Sequence, residues 1–382
     1  MRNSCDVLIV GGGPVGLAAA IASRMRGADV LVVDALKPPI DKACGEGLLP
    51  DARRDLAALG VNCESDEGAS FRGIRFVSWT DDMPVSATAD FENEEGFGMR
   101  RTALHARLAA RAQEIGVRIR WNTHVALGRS VLLGDEPCSY RYLVGADGQS
   151  SRVRTWAGLD DGRLITKRFG FRRHYRIPAA SDYVEVHWCA LGQVYITPVA
   201  RDEICVAAVT RQSSTRMRQV IDAVPCLREW LPAHKEISVE RGALTTTRRL
   251  KRVARGNVAL IGDASGSVDA ITGEGLAIGF RQASLLGRSL EKGSLDFYAA
   301  EHEKTLQMPR RIAQTLLLMD ANPWIGRAAM QALSASPGLF CGLLRAHMGE
   351  ESLSRVLLGN GIEMVKRASS GVSHSSAESA SM

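Results

Sequence analysis

Residues 5–34 read as one β-α-β unit, and the turn between its first strand and its helix is the tightest constraint in the chain. The apolar run Cys5-Asp6-Val7-Leu8-Ile9-Val10 ends in Gly11-x-Gly13-x-x-Gly16; a small-residue helix opens at Pro14 and Val15 and runs to about Arg26; a second apolar run ends in Asp34. Gly11 permits the tight turn, Gly13 lets a pyrophosphate approach the main chain, and Gly16 lets the helix pack on the strand. Free N–H groups and the positive end of the dipole at the helix start suit a diphosphate. Asp34 is placed to accept hydrogen bonds from the ribose hydroxyls of an adenosine. Both strands are nearly continuous apolar runs, as in a parallel sheet covered on both faces. The expectation is an α/β fold with one dinucleotide site.

Glycine supplies 37 of 382 residues, above an average usage of about 7%. Thirteen of the 37 lie in turns assigned below to the cofactor: 11, 12, 13, 16, 45, 47, 145, 148, 262, 266, 273, 275 and 279. Hydrophobic content of 45% and charged content of 24% exclude a fibrous or wholly disordered chain. Lys+Arg minus Asp+Glu is 48 − 42 = +6, scattered rather than clustered, so no nucleic-acid partner is expected. The eight cysteines form no C-x-x-C pair and no metal spacing with histidine, so no metal is expected and a reducing, cytoplasmic setting is. No apolar stretch reaches 18 residues, so no transmembrane segment is expected, while peripheral membrane contact stays compatible.

Helical periodicity over about Thr102–Ile115 precedes the alternating strand Val117–Trp121. Leu143-Val144 and Val258–Ile261 are short buried strands that open onto Gly145-Ala146-Asp147-Gly148 and Gly262-Asp263. Residues of about 70–97 and 166–248 alternate apolar with polar, the period of antiparallel strands with one covered face. The pattern turns helical after about 290. Four regions follow: a dinucleotide-binding domain of 1–70, 98–165 and 249–290; an inserted sheet domain of 71–97 and 166–248; a helical region of 291–366; and a disordered tail of 367–382.

Three motifs in this order, Gly11-x-Gly13-x-x-Gly16, Gly145-Ala146-Asp147-Gly148-Gln149-Ser150-Ser151-Arg152-Val153-Arg154, and Gly262-Asp263-Ala264-Ser265 followed by Thr272-Gly273-Glu274-Gly275-Leu276, resemble the flavoprotein hydroxylases of the p-hydroxybenzoate hydroxylase fold and their relatives the geranylgeranyl reductases. The resemblance implies a Rossmann-like FAD-binding domain of the GR2 type, an inserted antiparallel β-sheet substrate domain and a helical C-terminal region. It implies FAD as resident cofactor, with NADPH or NADH as a transient hydride donor. It assigns Asp147 to a place near both the pyrophosphate and the nicotinamide cofactor, Gly262 to cofactor binding, Asp263 to the ribityl chain, and Gly273, Glu274, Gly275 and Leu276 to the pyrimidine end of the ring, where a helix dipole favours negative charge on the reduced flavin. Arg101 is placed to face the flavin and Val125 to touch adenine through its main chain. Trp188 and Tyr195 fall on the sheet expected to cover the substrate.

Lys42-Ala43-Cys44-Gly45-Glu46-Gly47-Leu48 is similar to the Cys-Gly segment of the reductase branch, which sets Cys44 and Gly45 beside the flavin ring. The reductases' later aromatic motif survives here only as Tyr195-Ile196-Thr197-Pro198. The first functional reading is therefore an NAD(P)H-dependent monooxygenase that hydroxylates or epoxidises a lipophilic or aromatic small molecule through a flavin C4a-hydroperoxide. The second is an FAD-dependent reductase of isoprenoid double bonds. No catalytic side chain stands out, and His105, His174, His187 and His234 show no triad or metal spacing.

Overall fold

The computed structural model describes residues 3–64, 66–79, 83–356 and 358, so the tail expected at 367–382 lies outside the described residues. Its helices are α1 (Pro14–Arg24), α2 (Pro50–Ala58), α3 (Arg101–Glu114), α4 (Arg152–Trp156), α5 (Met217–Asp222), α6 (Pro225–Trp230), α7 (Gly275–Glu291), α8 (Asp296–Ala321), α9 (Pro323–Ala335) and α10 (Pro337–His347). The sequence punctuates several of them. Pro14 occupies the first turn of α1, where no N–H is required. The Asn322 side chain accepts the N–H groups of Trp324 and Ile325 and so separates α8 from α9.

The first sheet runs Ala254–Arg255, Val258–Leu260, Ser139–Gly145, Ser4–Val10, Val30–Val33, Arg118–Arg120, parallel throughout except for its antiparallel edge strand. Val7, Ile9, Val30 and Val32 pack beneath α1, whose alanines 18, 19, 20 and 22 are fully buried. Small side chains bring α1 close to the sheet and leave room for α7 against it.

The larger sheet is built around Arg163–Arg176, Tyr183–Cys189, Gly192–Ala200 and Glu203–Thr210, with Arg241–Arg249 beside the first of these. Its pairs are antiparallel with one exception. Gly73–Ser78 joins Tyr183–Cys189 in parallel, which sews the two separate pieces of chain into one sheet. Period-2 alternation divides its faces. Val194, Ile196, Ile204 and Val206 pack on α5 and α6, whereas Val184, Val186, Tyr195 and Thr197 face a cavity. The cavity's far side is closed by α8, α9 and α10 through a core that includes Phe76, Trp188, Met319, Leu333 and Phe340.

Candidate functional site

A cavity of ≈ 670 Å³ runs from the glycine turns of the first sheet to the underside of the second, within the range of small-molecule sites. At the dinucleotide end its wall includes Gly13, Pro14, Val15, Gly148, Gly262, Asp263, Gly273, Gly275 and Leu276. A Cβ built on Gly13, Gly45, Gly148, Gly273 or Gly275 would meet no protein atom within 4 Å. These turns are bare toward the cavity rather than toward the protein. A dinucleotide whose phosphates need close main-chain approach fits such a cradle, and FAD would be held there by these turns together with Arg101.

Other glycines of the motifs are required by the fold itself. A Cβ on Gly16 would strike the carbonyl oxygen of Gly11, one on Gly11 the carbonyl of Ala146, and one on Gly279 the side chain of Val15. Asp34 ends the strand Val30–Val33, and its two oxygens accept the N–H groups of Gly12 (2.7 Å) and Leu36 (2.8 Å). The Asp147 carboxylate accepts Ser151 Oγ and the N–H groups of Arg152 (2.7 Å) and Val153 (3.1 Å), and so caps α4. Arg154, nearly fully buried, then donates to the carbonyls of Gln149 (2.7 Å) and Ala264 (3.2 Å), tying the second glycine turn to the third.

Arg101, the first residue of α3, lines the cavity, and its buried Nε has no partner. Cys44 and Gly45 also line it, and Lys42 spans the turn to Asp263 at 3.4 Å. Tyr195 reaches the cavity while its hydroxyl donates to the carbonyl of Ile271 (3.0 Å). Seven of the site residues named from sequence stand away from the cavity wall: Gly11, Gly16, Asp34 and Asp147, described above, and Val125, Trp188 and Glu274. Val125 is buried in a core with Val131 and Leu133. Trp188 packs edge-on against Phe76, ring centroids 5.8 Å apart. Glu274 lies between two open glycines, but its carboxyl is buried behind them.

Two groups of polar residues escaped sequence reading. Glu46, at φ 61, holds the Cys44–Gly47 loop in a left-handed turn that a non-glycine residue seldom adopts. Its carboxylate accepts the N–H of Arg101 (3.0 Å) and His174 Nε2 (2.6 Å). Arg172, fully buried, donates to His174 Nδ1 (3.1 Å) and to Asp41. A guanidinium can only donate, so His174 carries its proton on Nε2 and gives it to Glu46. Cys205 completes a buried trio with Glu46 and His174 whose ligand atoms lie within 4.8 Å of one another. The tautomer that Arg172 imposes removes the imidazole lone pair such a metal site would need, so the trio reads as a brace for the loop.

The second group joins α8 to α7 and the third glycine turn. His302 of α8 is buried and hydrogen-bonds Ser265 Oγ (2.8 Å) and Gln282 (3.1 Å), while Gln282 Oε1 accepts the N–H of Gly262 (2.8 Å). Burial pushes the His302 imidazole down to about 4. Below the ordinary histidine value the unfolded chain gains a proton that the folded chain refuses, so this contribution to stability is lost as pH falls from about 6.5 toward 4. Melting of the wild type and of His302→Asn between pH 4 and 7 should show the difference between them narrowing with acid; a constant difference would count against a neutral buried His302.

Residues 4–293 match the family model described as an FAD binding domain. The chain is 27% identical over 365 residues to a menaquinone reductase of Mycolicibacterium smegmatis, covering 87% of this chain and 89% of that protein. It is 24% identical over 303 residues to a digeranylgeranylglycerophospholipid reductase of Methanosarcina acetivorans, covering 72% of each. Among solved structures, p-nitrophenol 4-monooxygenase PnpA from Pseudomonas putida DLL-E4 superposes with a TM-score of 0.77 at 16% identity, over 92% of this chain and 100% of that one. That likeness speaks to the fold alone.

Proposed function

The chain belongs to the FAD binding domain family of flavoprotein oxidoreductases, and from that premise we propose that it is an FAD-dependent reductase that saturates a carbon–carbon double bond in a lipophilic, isoprenoid-bearing small molecule. The observation that carries the reading is the cavity. It is continuous from the bare glycine turns to a chamber walled by Phe76, Val186, Met319, Leu333, Phe340 and Leu344. Such a chamber offers an extended hydrocarbon burial at about 25 cal/mol per Å² and few hydrogen bonds to a polar ring. Similarity to a menaquinone reductase across nearly the whole chain supports the same substrate class.

When bound, the flavin supplies a hydride, replenished by NADPH or NADH. The chain's part is to hold and orient. Glu46 fixes the loop that carries Cys44 and places the N–H of Arg101. Tyr195 and Thr197 line the sheet side of the chamber, and α8 to α10 exclude water from its far end. Oxygen insertion, the hydroxylase-type reading, draws its support from the Asp147-Gly148 motif.

An anaerobic assay separates the two. Protein reduced with NADPH or NADH, then mixed without O₂ with a panel of prenylated quinones and geranylgeranyl lipids, is expected to reoxidise its flavin and return a product heavier by two hydrogens. A product that needs O₂ and gains one oxygen would overturn the reductase reading.

A further inference from the structure

Glu274 immediately precedes α7, and its carboxyl makes no hydrogen bond. Its flanking glycines 273 and 275 line the cavity, yet its own side chain is fully buried and neither carboxyl oxygen has a hydrogen-bond partner. The groups that face it come from three helices: Asp51 and Asp55 from α2, Arg281 from α7, and His347 from α10. Arg281 pairs with Asp51 at 2.6 Å and reaches Asp55 and Glu274 only at 3.8 Å. His347 Nε2 stands 3.5 Å from Glu274 Oε1, its ring hydrogen-bonds the Thr272 main chain, and it lines the cavity.

Arg281 is the guanidinium shared by all three carboxylates; Arg54 acts on Asp51 and Asp55 and is itself paired with Glu94 and Glu350, so Glu274 is left short of positive charge. Glu274 is the deepest and worst paired of the three, and an unpaired buried carboxylate neutralises by binding a proton. Burial pushes its carboxyl up to about 8 and the His347 imidazole down to about 4; Asp55 rises to about 6 for the same reason. Near neutrality both members of the pair are uncharged, the glutamic acid with a proton to give and the histidine standing between it and the cavity.

We propose that Glu274 and His347 are the proton-delivering pair of this cavity, Glu274 storing the proton and His347 passing it to the substrate. The proposal rests on the reductase reading. Saturating one double bond takes two electrons and two hydrogens: a hydride, which FAD would supply when bound and reduced, would carry both electrons to one carbon, and the protein gives a proton to the other. The carbon–carbon π bond breaks and two C–H bonds form. Glu274 ends as a carboxylate beside Arg281 and regains its proton from solvent, while His347 begins and ends neutral.

Glu274→Gln mimics the protonated side chain in size and charge, so folding is retained. In the infrared difference spectrum between pH 6 and pH 10, the wild type is expected to show protonated carboxyl bands that disappear as pH rises; the component titrating near 8 should be missing in Glu274→Gln, while that of Asp55, titrating near 6, is retained. An unchanged difference spectrum in the variant would overturn the proton store. This readout needs no substrate, so it stands even where the wild type reduces no isoprenoid, the result that would end the reductase reading instead.

With a substrate that reoxidises the wild-type flavin, Glu274→Gln and His347→Gln are each expected to slow that anaerobic reoxidation by on the order of 10²-fold. Flavin affinity and reduction by NADPH or NADH should stay near wild type. Reoxidation at the wild-type rate in both variants would overturn delivery.

Discussion

Gly13→Val is expected to give a folded, colourless protein. Gly13 sits at φ −68° and ψ 174°, a conformation valine adopts readily, and a side chain there would meet no protein atom within 4 Å. The valine would instead fill the space a pyrophosphate needs. FAD affinity should fall by about 10²-fold or more, on the order of 3 kcal/mol, while the melting temperature of the apoprotein stays within a degree or two of wild type. Gly16→Val, three residues on, should do the reverse: its Cβ would collide with the Gly11 carbonyl, and the β-α-β unit would not close. Flavin fluorescence titration and apoprotein melting read both outcomes. Undiminished FAD affinity in Gly13→Val would remove the turn from the cofactor site.

Arg168→Leu is expected to destabilise the protein by about 3–5 kcal/mol at neutral pH, the usual cost of removing one partner from a buried ion pair. Arg168 is 2% exposed in the larger sheet; it contacts Asp269 at 3.1 Å, Asp320 at 3.5 Å and Gln193. Asp269 in turn accepts the N–H of Ile271 (3.1 Å), and Asp320 accepts Gln193 Nε2 (2.5 Å). The leucine would leave two buried carboxylates with only Arg211, 3.2 Å from Asp320, nearby. Adding Asp320→Asn should recover part of the loss. Denaturant unfolding tests this, and a wild-type midpoint in Arg168→Leu would show that the network contributes nothing.

The parallel sheet and its three glycine turns were legible because their signals are local. A strand, a glycine triplet and a helix start lie within about a dozen residues, and each has its own steric reason. The glycine surplus was less simple than it looked. Gly13, Gly45, Gly148, Gly273 and Gly275 are bare toward the cavity, whereas Gly11, Gly16, Gly145 and Gly279 make room for neighbouring protein atoms. Composition cannot tell these two uses apart.

The polar groups behind the site were not legible, since each joins residues far apart in sequence. Glu46 meets His174 across 128 positions, and Glu274 meets a histidine on α10, in a region whose sequence showed only helical periodicity. Alternation located strands around Trp188 and Tyr195 but not which face meets the cavity. They sit on adjacent strands, and only the tyrosine reaches it. The parallel pairing of Gly73–Ser78 with Tyr183–Cys189 likewise depends on a return of the chain that no short window records.

Helix α8 is anchored at both ends. Near its start, the Tyr298 hydroxyl donates to the carbonyl of Leu260 (2.6 Å) and His302 meets Ser265, both on the dinucleotide side; near its end, Asp320 is held by the larger sheet. Its 26 residues span about 39 Å, and each residue added or removed between His302 and Asp320 would turn the far anchor by about 100° and shift it by about 1.5 Å. The helix thus works as a gauge block that sets the height of the cavity by a whole number of residues. A change of length in that stretch would uncouple the cavity's floor from its ceiling, so with both anchors held only the side chains along the wall can alter its width.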